Sequence, residues 1–155
     1  MYSFLLTIHS LFRWIVLASL LFALFNAYTG WFSRKSFADF DNKVMHVVAT
    51  TSYIQFLIGL CLYFVSPIVS YFFENFSTAI HERPIRFFGM EHITMMFIAV
   101  SLISAATGIV KKKTTDVAKF KTMAIFFSIA LLIIFLSIPW QFSPFTSRPY
   151  YRTFW

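Results

Sequence analysis

Residues Phe87–Val110 read FFGMEHITMMFIAVSLISAATGIV, and among these side chains only Glu91 and His92 are ionisable. A bilayer core is crossed by about 20 mostly apolar residues in a helix, so this run is long enough to span. Working outward, three more runs meet the same criterion: Phe4–Phe32, Val44–Phe73 and Phe120–Trp140. The second is so long that it must tilt, bend near Pro67 or leave the membrane. The spacing therefore predicts four transmembrane helices. No repeat and no linker divides residues 1–155, so the expectation is one all-α membrane domain, a transmembrane four-helix bundle.

Composition points the same way. Apolar residues make up 59% of the 155, charged residues only 12%, and mean hydropathy is +0.72. Ordinary soluble domains carry about 25% charged residues. This chain lacks the polar surface to cover a water-soluble globule, and disordered or disulfide-built classes are excluded with it. The single cysteine, Cys61, has no partner for an intrachain disulfide, and no Cys-x-x-Cys-His site for covalent haem attachment exists. The net charge of +7 does not call for nucleic acid, because the basic residues flank the apolar runs and the lipid bilayer accounts for them.

Orientation follows from lysine and arginine placement. The first connection holds Arg34, Lys35 and Lys43, and the third holds Lys111, Lys112, Lys113, Lys119 and Lys121. The other face carries Arg83, Arg86, Arg148 and Arg152. Eight against four puts the first and third connections in the cytoplasm and both termini outside, in the periplasm if the membrane is a bacterial inner membrane. Trp31, Trp140 and the tail residues Tyr150, Tyr151, Phe154 and Trp155 suit the interfacial belt. The first span is expected to be retained rather than cleaved as a signal peptide, since Met1–Ser10 carries no basic side chain. Ser101, Ser104, Ala105, Ala106 and Gly108 in the third span, with Thr50, Thr51, Ser52 and Gly59 in the second, would let helix backbones approach closely.

Ionisable residues inside a membrane are costly unless paired or functional. They are His9 and Arg13 in the first span, His46 in the second, and Glu91 and His92 in the third. His9 and His92 each lie about five residues inside the outer end of their helices, roughly 8 Å deep from the same face. Two neutral imidazoles at one depth suit the axial ligands of a haem. Arg13, one turn deeper than His9, is placed to hold a haem propionate or to pair with Glu91. The bland alternative is that both histidines serve helix packing. His46 is read as interfacial, and Met90, Met95 and Met96 as gap-fillers rather than ligands. The 22 phenylalanines are lipid-facing packing or the lining of a quinone pocket. No nucleotide-binding, nucleophilic or carboxylate–metal motif is present.

Five segments carry a resemblance: His9-Ser-Leu-Phe-Arg-Trp14, Tyr53-Ile-Gln-Phe-Leu-Ile-Gly-Leu60, Tyr63-Phe-Val-Ser-Pro67, Arg86-Phe-Phe-Gly-Met-Glu-His92 and Ser137-Ile-Pro-Trp140. Together they resemble the small bacterial four-helix cytochrome-b-like integral membrane proteins. The resemblance implies a haem-b electron carrier or quinone-linked subunit of a respiratory-type complex. It also departs from the pattern. Such proteins tend to have a histidine in the middle of the second helix and another late in the third, where this chain has Tyr53 and Ser104–Thr107. Two readings therefore stand together. In one, a single haem b is held by His9 and His92 for electron transfer, without catalysis of the chain's own. In the other, a haem-free accessory subunit packs against the other membrane subunits of a larger complex.

Overall fold

The computed structural model describes residues 1–140; the expectations for Arg148, Arg152, Tyr150, Tyr151, Phe154 and Trp155 lie outside them. Helix α1 runs over Tyr2–Phe32 and α2 over Asp39–Val65. Three short helices follow, α3 at Pro67–Glu74, α4 at Phe76–Ala79 and α5 at Arg83–Arg86. A π-helical turn, Phe87–Glu91, leads into α6 at His92–Lys112, and α7 covers Asp116–Ser137. Four helical stretches are long and apolar enough to cross a membrane: α1, α2, α7 and the continuous rod Arg83–Lys112. The all-α class is as expected, and the chain is a multi-pass membrane protein.

The boundaries follow from local chemistry. α2 stops at Val65 because Pro67 has no N–H to donate into a continuing helix, and Ser66 is extended at ψ 122°. The long second run is thus two helices with a break. α1 ends in a left-handed residue, Arg34 at φ 53°, and the Lys35 N–H returns to the Gly30 carbonyl at 3.1 Å. Asp41 stands in the first turn of α2. It is fully buried, and its carboxylate accepts from the Ala38 N–H at 2.9 Å, Asn26 at 2.8 Å and Lys35 at 3.0 Å. Asn26 belongs to α1, so this one carboxylate caps α2 and ties it to its neighbour.

α1 packs against α2 and α7, and α6 also packs against α2 and α7. The four spans thus form a square, with α1 and α6 on one diagonal. Small side chains permit the close approach: Ala23 and Ala27 of α1, Ala99 and Ala106 of α6, and Ala124 and Ala130 of α7 are fully buried. Met45, Ile103, Met123 and Phe127 fill the space between them. The outward faces carry Phe25, Phe64, Phe97 and Leu132, all exposed. In water such a surface would aggregate; against lipid tails it is at home.

Trp140, just past the end of α7, is buried, with its indole N–H donating to the Phe135 carbonyl at 2.8 Å. Most of the α6 small residues lie elsewhere than expected: Ala106 packs inside, while Ser101, Ser104, Ala105 and Gly108 are exposed. A Cβ added at Gly108 would meet no atom within 4 Å. Their spacing of three and four residues puts these four on a single outward stripe.

Candidate functional site

Because α1 and α6 are parallel and diagonal, positions at matched depth can meet in the middle of the bundle. His9 and His92 do so, with ring centroids 6.3 Å apart and planes at 76°. Hydrogen bonds fix both rings. His92 Nδ1 lies 2.9 Å from the Ser137 carbonyl of α7, and a carbonyl only accepts, so Nδ1 carries the proton and Nε2 is left with its lone pair. Gln55 of α2 donates its amide to the His9 carbonyl at 3.0 Å, and the same nitrogen lies 3.4 Å from His9 Nε2. That amide nitrogen also only donates, so His9 Nε2 is the accepting nitrogen and Nδ1 bears the proton. His9 Nδ1 is buried with no hydrogen-bond partner.

Space for the His9 ring comes from Gly59. A Cβ there would stand 2.9 Å from His9 Cε1, closer than packing allows. Sequence reasoning had assigned Gly59 only to helix approach. It missed Ser52 and Gln55 as site residues, although a glutamine and a serine one turn apart on one apolar face signal a buried polar site. Both line a cavity of about 170 Å³ together with His9, His92, Arg13 and Gly59. Ser52 Oγ and Gln55 Oε1, like His9 Nδ1, are buried without a partner.

The remaining candidates are placed differently from one another. Arg13 lines the cavity, and its guanidinium stands 5.2 Å from the Trp14 ring and 5.8 Å from the Trp140 ring. Cation–π contact is the natural way to hold a guanidinium among apolar groups. Glu91 does not line the cavity. Its carboxylate accepts from Arg86 Nε at 2.6 Å, so the ion pair at Glu91 is with Arg86 rather than Arg13. The reason is local: Arg86 precedes Glu91 on the same rod, and the intervening π-turn brings the two together. Of the methionines, Met96 lines the cavity, and Met90 is exposed. His46 is exposed on α2, away from the site.

The donor set suits a metal ligated from two sides. With metal–imidazole bonds of ~2 Å and ring centroids ~1 Å beyond each nitrogen, two such rings stand about 6 Å apart. The observed centroid separation of 6.3 Å equals that spacing, while His9 Nε2 faces the Gln55 amide. The volume is tighter. Cofactor pockets commonly measure ~300–1,000 Å³, so admitting a macrocycle requires the Gln55 amide to swing clear of His9 Nε2 and the mouth to widen. Among the described residues no cluster of three or more His, Cys, Asp or Glu could hold a metal ion by itself. No family model, curated protein or solved structure matches the chain.

Proposed function

We propose that this membrane protein is a b-type haem electron carrier, with His9 and His92 as the two axial ligands. The observation that supports it is the meeting of these rings across the bundle diagonal, each with an unprotonated Nε2, that of His9 facing the Gln55 amide. A haem supplies a one-electron couple when bound. The chain's own residues do the rest. Ser137 holds His92 in one tautomer through its carbonyl, as outer-shell partners of ligating imidazoles do. Gly59 leaves room for His9, and Arg13 supplies positive charge to the cavity for acidic substituents. Glu91, ion-paired to Arg86, steadies the turn that precedes His92. Held by both His9 and His92, a haem would have no open site for oxygen chemistry and would serve electron transfer rather than catalysis.

In this reading the protein resides in a bacterial inner membrane with both termini periplasmic. The eight lysines and arginines at the α1–α2 and α6–α7 ends support that orientation. It serves as one subunit of a respiratory-type complex and exchanges electrons with its partners or with quinone. The exposed stripe of Ser101, Ser104, Ala105 and Gly108 supports an intermolecular helix contact.

The second reading, a haem-free accessory subunit of a larger membrane complex, is favoured by the cavity of about 170 Å³ and by Gln55 standing beside His9 Nε2. Reduced-minus-oxidised difference spectra of purified protein separate the two. The haem reading expects a b-type signal that is lost in His92→Ala and kept in His46→Ala. Equal signals in both variants would remove His92 as a ligand.

A further inference from the structure

Immediately before His92 the rod is not α-helical. Residues Phe87–Glu91 form a π-turn, and the His92 N–H closes it on the Phe87 carbonyl, five residues back. Such turns insert one extra residue into an α-helix and concentrate at functional sites. Each α-helical residue advances ~100° around the axis. Without the insertion, the face that α5 and the start of the turn present to α3 would be rotated by about that much relative to His92. The π-turn therefore sets the angle between the outer-end packing and the direction of the His92 ring.

Two side chains from outside the rod engage the turn at its midpoint. Tyr63, near the end of α2, donates its hydroxyl to the Gly89 carbonyl at 2.6 Å. Phe72 of α3 is almost fully buried and packs its ring where a Cβ of residue 89 would stand, so only glycine fits. Phe87 is buried in turn, with its ring centroid 5.6 Å from that of His92. Tyr63 thus holds the turn at Gly89, and Phe87, which opens the same turn, packs on His92. Tyr63 also lines the cavity that His92 faces, so it belongs to the same chamber.

We propose that Tyr63 is a positioning residue for His92: its hydroxyl holds the π-turn at Gly89 and so keeps the His92 ring directed at His9. The role of His92 as a ligand rests on the function proposed above; the positioning of the ring does not. An unstrained α-helical turn is the competing conformation, and one neutral hydrogen bond is worth about a fivefold change in that equilibrium. Losing the hydroxyl releases the turn without emptying the core, because the ring of phenylalanine replaces that of tyrosine.

The test is ring-nitrogen NMR of 15N-histidine-labelled full-length protein in mild detergent micelles, comparing the unmodified chain with Tyr63→Phe and with Tyr71→Phe. Tyr71 is exposed and reaches only the Glu82 carboxylate, at 3.4 Å, so it controls for loss of a hydroxyl at the outer end. In haem-free protein from haem-depleted cells His92 should show a protonated Nδ1 and an unprotonated Nε2. Tyr63→Phe should lower the population of that state, by up to about fivefold as the turn is released, and Tyr71→Phe should leave it unchanged. Identical His92 signals in all three proteins overturn the proposal. Haem content is read separately, on protein from haem-sufficient cells. If that protein carries no haem yet His92 of the haem-free samples responds to Tyr63→Phe, the electron-carrier reading fails and the positioning role stands. If it binds haem and His92 of the haem-free samples does not respond, the reverse holds.

Discussion

His9 and His92 meet on the bundle diagonal with their planes at 76°, and the bonds that orient them, from Gln55 and to Ser137, leave the same nitrogen unprotonated on both. Buried polar side chains are expensive in lipid. Here Gln55 stands against His9 Nε2 and the Ser137 carbonyl takes the His92 Nδ1 proton.

Gly59 should be the most sensitive small residue of the site. A methyl group there stands 2.9 Å from His9 Cε1, and a larger side chain must push the ring out of line. Gly59→Val is expected to abolish haem retention while destabilising the fold by only ~1–3 kcal/mol, the usual cost of overpacking. Haem content and thermal unfolding in the same detergent check the two halves. Unchanged haem retention would show that the ring does not need its present place.

Asp41 should carry more stability than any other charged residue. Its carboxylate is fully buried and accepts three hydrogen bonds, and Asp41→Ala leaves Asn26 and the Ala38 N–H without their acceptor. The expected loss is ~2–4 kcal/mol. Lys35→Ala should cost only ~0.2–1 kcal/mol, because its side chain is 44% exposed and the pair is screened at that end. Thermal melts of the two variants give the comparison; equal losses would mean the ion pair, not the capping geometry, dominates.

Orientation is tested with single cysteines in a background lacking Cys61. Ser3→Cys should react with a membrane-impermeant thiol reagent in intact cells, and Thr115→Cys only after lysis. Labelling of the second site alone in intact cells reverses the topology.

The outward stripe on α6 should govern assembly. Gly108→Leu, at a position with open space around its Cβ, is expected to leave the fold intact and reduce comigration with other membrane subunits after gentle extraction. A clean monomer of the unmodified protein across several mild detergents contradicts the assembly role.

Much of this was legible in the sequence, for identifiable reasons. The four spans follow from uninterrupted apolar length, and the break after Val65 from Pro67. The depth match of His9 and His92 follows from counting residues inward from common helix ends. Their contact did not follow, since nothing local says that α1 and α6 share a diagonal. The partner of Glu91 was missed because the π-turn is invisible to helical periodicity, and it is that turn which brings Arg86 within reach. Trp140 reads as an interfacial indole by position; its packing onto Trp14, 5.9 Å between centroids, with Arg13 beside it, has no sequence signal. Asp41 lies just before the second apolar run, where an acidic residue reads as solvent-exposed. Its burial depends on Asn26 from another helix, a tertiary contact with no sequence period.

Haem stoichiometry tests the central claim most directly. Full-length protein purified in mild detergent from haem-sufficient cells is denatured in alkaline pyridine, and the haemochrome spectrum is compared with the protein concentration. The account requires one non-covalent haem b per chain, falling to none in the double variant His9→Ala/His92→Ala. Protein that is folded by thermal melt yet carries no haem would contradict it.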